Sequence, residues 1–156
     1  MNLVKAKPEH YQDVCMLCKA LDNHHANIEP ERVQVYTDVS RTPEQYDAYI
    51  RGEDRILMIA YINDLAVGFI NAKINEVSEK VMHVGRRFAL LDNLFVLENN
   101  RGQGVATLLI ESIQSWCFER NVSKIELQVF ESNQDAISIY KAKGFSRIMT
   151  RMELDL

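Results

Sequence analysis

Four groups of residues in this 156-residue chain have types and spacing that could do chemistry. The first is Arg101-Gly102-Gln103-Gly104-Val105-Ala106, which follows a strand-like run, Leu90 to Leu97, and a polar turn, Glu98-Asn99-Asn100. Two glycines where a helix begins leave bare backbone N–H groups. Those groups have no partner inside the helix, and the macrodipole makes that end positive, so the turn is an anion site, most often for phosphate. The second is Tyr140, one turn after Ala136 on the same helix face. A free tyrosine keeps its proton at pH 7 and can hydrogen-bond an anionic leaving atom, although the plainer reading is a half-buried core aromatic. The third is Asp92, at the head of the strand that leads into the glycine turn. A carboxylate there can serve as a general base, or it can simply face solvent at a strand entry. The fourth is Cys15-Met16-Leu17-Cys18 with His24-His25. The cysteines are formally C-x-x-C but lie inside an apolar helical pattern with no second pair, which reads as packing. Adjacent histidines cannot both point into one site from a helix, and no matching Cys/His set is present for zinc. They line a binding pocket or form a plain surface loop.

The phosphate readings of the glycine turn can be narrowed. A P-loop needs G-x-x-x-x-G-K-[ST], and the chain has no such string. A dinucleotide turn needs a third glycine where Thr107 stands, and it belongs after the first strand rather than late in the chain.

The elements that position these residues follow from periodicity. Leu3 to Lys7 reads as a strand, and Pro8 opens a helix to about Asp22 with Tyr11, Val14, Cys15, Cys18 and Leu21 at helical spacing. Residues 23–31 read as a polar irregular stretch and 32–41 as ambiguous. Thr42-Pro43-Glu44-Gln45 has the residues of a capping box, opening a helix that ends near Gly52. Ile56–Ile62 and Leu65–Ile74 are strands joined by Asn63-Asp64, with Gly68 marking a bulge or a close backbone approach. Residues 75–87 read as a charged hairpin end. The helix after the glycine turn places Val105, Leu108, Leu109, Ser112, Ile113 and Trp116 on one face. Lys124 to Phe130 alternates as a strand, Asn133 caps a last helix, Gly144 ends it, and 145–156 is a final extended segment. The order is β-α-α-β-β-β-α-β-α-β in one α/β domain spanning 1–156, with a mixed sheet.

Composition bounds the function. With 47% apolar and 26% charged residues the chain is an ordinary globular mix, and a net charge of -4 is not a nucleic-acid footprint. Mild acidity is compatible with a cationic substrate. An odd count of three cysteines without a signal peptide points to reduced thiols in a cytoplasm. No run reaches the ~20 apolar residues of a membrane span, so no membrane partner is expected.

The glycine turn also carries a resemblance. Arg101 to Ala106 fits R/Q-x-x-G-x-G/A, the acetyl-coenzyme A motif of the GNAT superfamily of N-acetyltransferases. Leu94-Phe95-Val96 resembles the strand before that motif, and Asn133…Ala136…Tyr140…Gly144-Phe145 resembles the family's second motif. The order of elements agrees over essentially the whole chain. The resemblance implies a mixed, mostly antiparallel central sheet flanked by about four helices. It implies acetyl-CoA as co-substrate and transfer of the acetyl group to a primary amine of a small molecule or a protein. On it, the backbone of Gln103, Gly104, Val105, Ala106 and Thr107 holds the pyrophosphate, Arg101 and Gly102 shape the turn, and the backbone of Phe95 and Val96 bonds pantetheine. Asn133 fixes pantetheine or the helix start, Tyr140 serves the leaving sulfur and Asp92 is the base. A module of the same fold that binds CoA without turnover is the alternative. One departure matters. Only eleven residues follow Phe145, where members usually continue through two strands and a hairpin loop, so a wall of the acceptor site is missing or comes from a second chain. That favours a homodimer with an open site.

Overall fold

The computed structural model describes residues 1–35, 41–81 and 84–156. Five strands form one sheet in sequence order: β1 (Asn2–Lys5), β2 (Arg55–Ile62), β3 (Leu65–Val77), β4 (Arg86–Val96) and β5 (Ile125–Leu127). The first four are antiparallel neighbours, and β5 joins β4 in parallel. Four helices, α1 (Tyr11–Ile28), α2 (Pro43–Ile50), α3 (Val105–Glu119) and α4 (Gln134–Ala142), complete the α/β architecture.

Alternation along β3 splits the core in two. Phe69 points into a cluster with Val14, Leu17 and Leu21 of α1, Tyr46 of α2 and Phe95 of β4. Ile70, Ala72 and Ile74 point the other way, onto Leu109, Ile110, Ile113 and Trp116 of α3. A period of two in the strands and 3.6 in the helices brings these residues face to face. Turn chemistry holds the rest in register. Asn63 and Asp64 both have positive φ, 49° and 62°, as a two-residue hairpin turn between twisted strands requires. A side chain at Gly68 would place its Cβ 2.7 Å from the Phe95 carbonyl oxygen, so the close approach of β3 to β4 admits only glycine. Thr42 and Gln45 make both bonds of the capping box, at 3.3 and 2.9 Å.

Several expectations change. The helix that reads as ending near Asp22 runs on to Ile28. Its last turns lack a strong apolar pattern, but Ala26 is buried, His24 lies against Phe95 and His25 against Phe130. Tertiary contact overrides weak local propensity there. On α3, Leu108 is outside the buried face, which is completed by Ile110 and Cys117. The strand expected over 124–130 pairs only over Ile125–Leu127, because β4 turns away beyond Leu91. Residues 145–156 join no ladder. Arg147 is bonded to Glu131 at 2.6 Å and Glu153 to Arg32 at 2.7 Å, which draws the segment past the end of α1. Residues 36–40 of the ambiguous stretch and His83 of the hairpin end lie outside the described residues. Cys18 and Cys117 are buried and Cys15 is half-buried; burial pushes the Cys18 thiol up to about 12, so it packs rather than reacts. Among the described residues no helix is long and apolar enough to cross a membrane.

Candidate active site

The site begins with a fault in the β3–β4 ladder. Asn71 lies opposite Asn93 and Ala72 opposite Leu91, so Asp92 is an extra residue with no partner. A bulge of this kind kinks its strand and re-aims the side chain. The fault coincides with the end of the β4–β5 pairing, whose last rung is Leu91 with Leu127. Beyond it the two parallel strands part and leave a narrow slot of about 90 Å³. Its walls are Asp92, Asn93 and Leu94 on one side and Gln128, Val129 and Phe130 on the other. Leu21 and His25 of α1 and Asn133, Ala136 and Tyr140 around α4 complete it.

Backbone direction follows from one bond. The Leu97 N–H donates to Val67 O at 2.9 Å, and in an antiparallel ladder hydrogen-bonded pairs alternate. The main-chain groups of Leu97 and Phe95 therefore face β3, while those of Val96 and Leu94 face the slot. This corrects the expectation for Phe95: its backbone is used in the sheet and its ring is buried beneath α1. Val96 stays on the slot side, where its carbonyl accepts from Arg101 Nε at 3.2 Å. Arg101 thereby ties the strand end to the turn.

The glycine turn has the geometry an anion needs. Gly102 and Gly104 sit at φ 73° and 81°, a left-handed conformation that side chains resist, and a Cβ at either would meet nothing within 4 Å. The space over the turn is therefore open to a ligand. Gly104 caps α3 with no side chain of its own, and its carbonyl first accepts from Leu108 N–H, at 3.1 Å. The N–H groups of Val105, Ala106 and Thr107 thus precede the first closed helical turn and face outward at the positive end of α3.

Tyr140 lines the slot and packs edge-on against Phe145, ring centroids 5.5 Å apart. Burial pushes its hydroxyl up to about 12, so it is protonated near pH 7 and has a proton to donate. Asn133 Oδ1 accepts from Ala136 N–H at 3.2 Å, which spends that oxygen on capping α4, and Asn133 is one of the residues that line the slot.

Asp92 also lines a second, wider pocket of about 560 Å³, with Arg41, Gln45, Ala48, Tyr49, Arg55 and Lys73. Its volume falls within the range of small-molecule sites. Lys73 Nζ lies 3.5 Å from Asp92 Oδ1, and Arg41 is paired with Asp22 at 3.0 Å. Asp92 is the residue the two cavities share.

Sequence reasoning missed much of this second wall. Lys73, Arg55 and Tyr49 carry no motif, because each comes from a different element. Asn71 could have been found: it shares the parity of Phe69 and therefore lands on a covered face, where it is 2% exposed and accepts from Asn93 Nδ2 at 2.9 Å. Of the two histidines, His25 lines the slot while His24 lies against Phe95 near Arg101. Burial holds both imidazoles below the usual histidine range, so they are neutral near pH 7.

Comparison with known proteins bears on this geometry. The family model described as the acetyltransferase (GNAT) family matches residues 18–145. An uncharacterized N-acetyltransferase of Archaeoglobus fulgidus is 30% identical over 128 residues, covering 74% of this chain and 84% of the relative. An uncharacterized N-acetyltransferase of Bacillus subtilis is 36% identical over 58 residues; that match spans 37% of this chain and only 24% of the longer relative. Among solved structures, the BH1408 protein from Bacillus halodurans superposes with a TM-score of 0.92 at 22% identity, covering 100% of both chains. An aminoglycoside N-acetyltransferase in complex with CoA superposes with a TM-score of 0.70 at 18% identity, over 99% of this chain and 100% of the other. At such identities the structural likeness concerns the fold.

Proposed function

The chain belongs to the GNAT family of N-acetyltransferases, and on that premise we propose that it transfers an acetyl group from acetyl-CoA to a primary amine by direct attack on the thioester. The observation that carries this reading is the slot between β4 and β5, lined by Asp92 and Tyr140, which meets the wider pocket at Asp92 and whose strand β4 leads along the chain into the glycine turn. The residues fit such a donor. The bare N–H groups of Val105, Ala106 and Thr107, with the glycine cradle of Gly102, Gln103 and Gly104, suit a diphosphate. The exposed backbone edge of Leu94 and Val96 suits the amides of a pantetheine arm, which would lie there as an added strand. CoA supplies an activated acyl carbonyl and a thiolate leaving group.

The chain's own residues then have separable tasks. Asp92 takes a proton from the ammonium, directly or through water, which frees the nitrogen lone pair to form the C–N bond; the second nitrogen proton leaves the tetrahedral adduct for water or the departing thiolate as the C–S bond breaks. Slot-facing N–H groups of β4 donate to the oxyanion that forms at the carbonyl. Tyr140 donates to the sulfur as the C–S bond breaks and negative charge gathers there. Because its own proton is held so firmly, it works as a donor to the developing thiolate rather than by surrendering the proton outright. The amine enters through the wider pocket, whose size admits a small molecule or the end of a peptide chain. The reading includes a soluble, cytoplasmic homodimer, in which a second copy covers the side of the slot beyond β5.

A thiol-release assay with acetyl-CoA over a panel of amines tests the proposal. Saturable release dependent on the amine, with the acetylated product seen by mass spectrometry, is the expected result. Tight CoA binding with no turnover on any amine would instead favour a binding module that keeps the fold without the chemistry.

A further inference from the structure

One end of the sheet carries a row of charges on a single face. Arg55 of β2 lies directly opposite Lys73 of β3, and Lys73 Nζ reaches Asp92 Oδ1 of β4 at 3.5 Å. Like charges directly opposed across an antiparallel pair are unfavourable, so the sheet gains nothing from the two cations by themselves. All three side chains line the wider pocket, together with the face of α2 that carries Gln45, Ala48 and Tyr49. Across the strands, which stand about 4.8 Å apart, the order is cation, cation, anion.

The balance of charge in that wall is positive. Arg41 is paired with Asp22 and Lys73 with Asp92, which offsets both. Arg55 takes part in none of the ion pairs among the described residues. Asp47 of α2 is paired with Arg51 at 2.8 Å, and Asp54, next to Arg55 in sequence, has Oδ1 beside Gly52. One guanidinium N–H of Arg55 donates to Ala48 O at 3.0 Å, which anchors the group to the last turn of α2. A guanidinium holds five N–H groups in a rigid fork, so this bond leaves most of them over. The chain as a whole carries a net charge of -4, so the wall is a local reversal of sign.

Resting on the reading of this pocket as the acceptor's, we propose that the acceptor is an amino acid, an amine that carries its own carboxylate, with the amine at Asp92 and the carboxylate on Arg55. Such a zwitterion matches the row in sign. Its anion meets the guanidinium of Arg55, and its cation meets the one acid of the wall. A carboxylate has two oxygens in a plane and fits the guanidinium fork bidentately. It also sets a negative charge beside two opposed cations, which turns their juxtaposition from a cost into a binding feature. A phosphate monoester would bring roughly two negative charges to a wall with a single cation left to offset. A polyamine would bring a second ammonium onto Arg55 and Lys73, like charge on like charge.

Thiol release from acetyl-CoA over a panel of amino acids, each matched with its own amide, tests the substrate class. The panel includes β-alanine and 6-aminohexanoate, whose amine and carboxylate stand further apart, and spermidine and O-phosphoethanolamine as the competing chemistries. The best acceptor is expected to be an amino acid, with kcat/KM about 30-fold above that of its amide and the difference lying in KM. Arg55→Gln is expected to bring the acid to within about threefold of its amide, and Arg55→Lys, which keeps the charge but loses the fork, to fall between. An amide as good as its acid, spermidine or O-phosphoethanolamine as the best acceptor, or an acid-to-amide ratio unmoved by Arg55→Gln would each overturn the proposal. If no amine is turned over, the acetyl-transfer reading falls, and calorimetry of the same acids and amides in the presence of CoA decides the carboxylate site separately. An acid that binds where its amide does not, and that is lost in Arg55→Gln, would uphold the site; equal behaviour of acid and amide would overturn it too.

Discussion

From Val96 to Thr107 the chain runs without interruption through a strand end, two left-handed glycines and the first N–H groups of α3. Across Asp92 the wider pocket is assembled from Arg41, from Gln45, Ala48 and Tyr49 of α2, from Arg55 of β2 and from Lys73 of β3. The first region presents main chain and the second side chains. Main-chain recognition needs a particular backbone conformation, and only a few residues permit it. Side-chain recognition needs only that a polar group arrive at the right place, which many sequences can arrange. The contrast teaches that one reactant's site is held nearly fixed by conformational sterics, whereas the other can drift with substitutions in elements distant in sequence.

Substitutions on either side can break or sharpen that contrast. The largest effect is expected from Gly104→Glu. A carboxylate held about 4 Å from a diphosphate costs about 4 kcal/mol at an effective dielectric of 20, so CoA should bind about 10³-fold more weakly by calorimetry. Gly104→Asn, which tolerates the left-handed backbone, should keep most of the affinity; a loss equal to that of the glutamate would show that the space over the turn is not the donor site. Tyr140→Phe should lower kcat by about 100-fold while CoA affinity changes less than about twofold. Unchanged turnover in that variant would return Tyr140 to the core as a packing residue.

Asp92 stands on both sides of the comparison. Asp92→Asn should reduce kcat/KM for the amine by about 30-fold at pH 7, and the deficit should shrink as rising pH supplies more free amine. A deficit independent of pH would assign Asp92 to positioning instead. Lys73→Met, confined to the wider pocket, should change the amine KM by about fivefold and leave CoA binding alone. The smallest effect concerns α1. His24 and His25 are held below their ordinary value by burial, so the unfolded chain takes up protons first as pH falls. The stability tied to their neutral forms is present above pH 6.5 and is lost as pH falls below it. Thermal unfolding between pH 7 and 5 should show the decline, and His25→Gln should flatten it.

Much of the local structure around the glycine turn and α4 was legible in order along the chain. Arg101 to Ala106, Asn133 as a cap and Tyr140 beside Ala136 are local patterns, and local patterns survive without knowledge of the fold. The end of α1 was not legible, because residues 23–28 are helical through contacts with Phe95 and Phe130 rather than through their own pattern. Phe95 was misjudged for a related reason: which main-chain groups face the slot depends on the bulge and on the Leu97–Val67 bond, and both belong to a strand pair.

The sequence by itself determined where chain geometry is forced. Only glycine is comfortable at the φ values of Gly102 and Gly104, only Gly68 lets β3 approach β4, and Thr42 with Gln45 closes a cap from within four residues. Tertiary structure alone decided where the strands part, and therefore that Asp92 stands between two cavities with Lys73 3.5 Å away. A bulge is a mismatch between two strands, and a pocket is the space left among several elements. Neither is a property of any one stretch of chain.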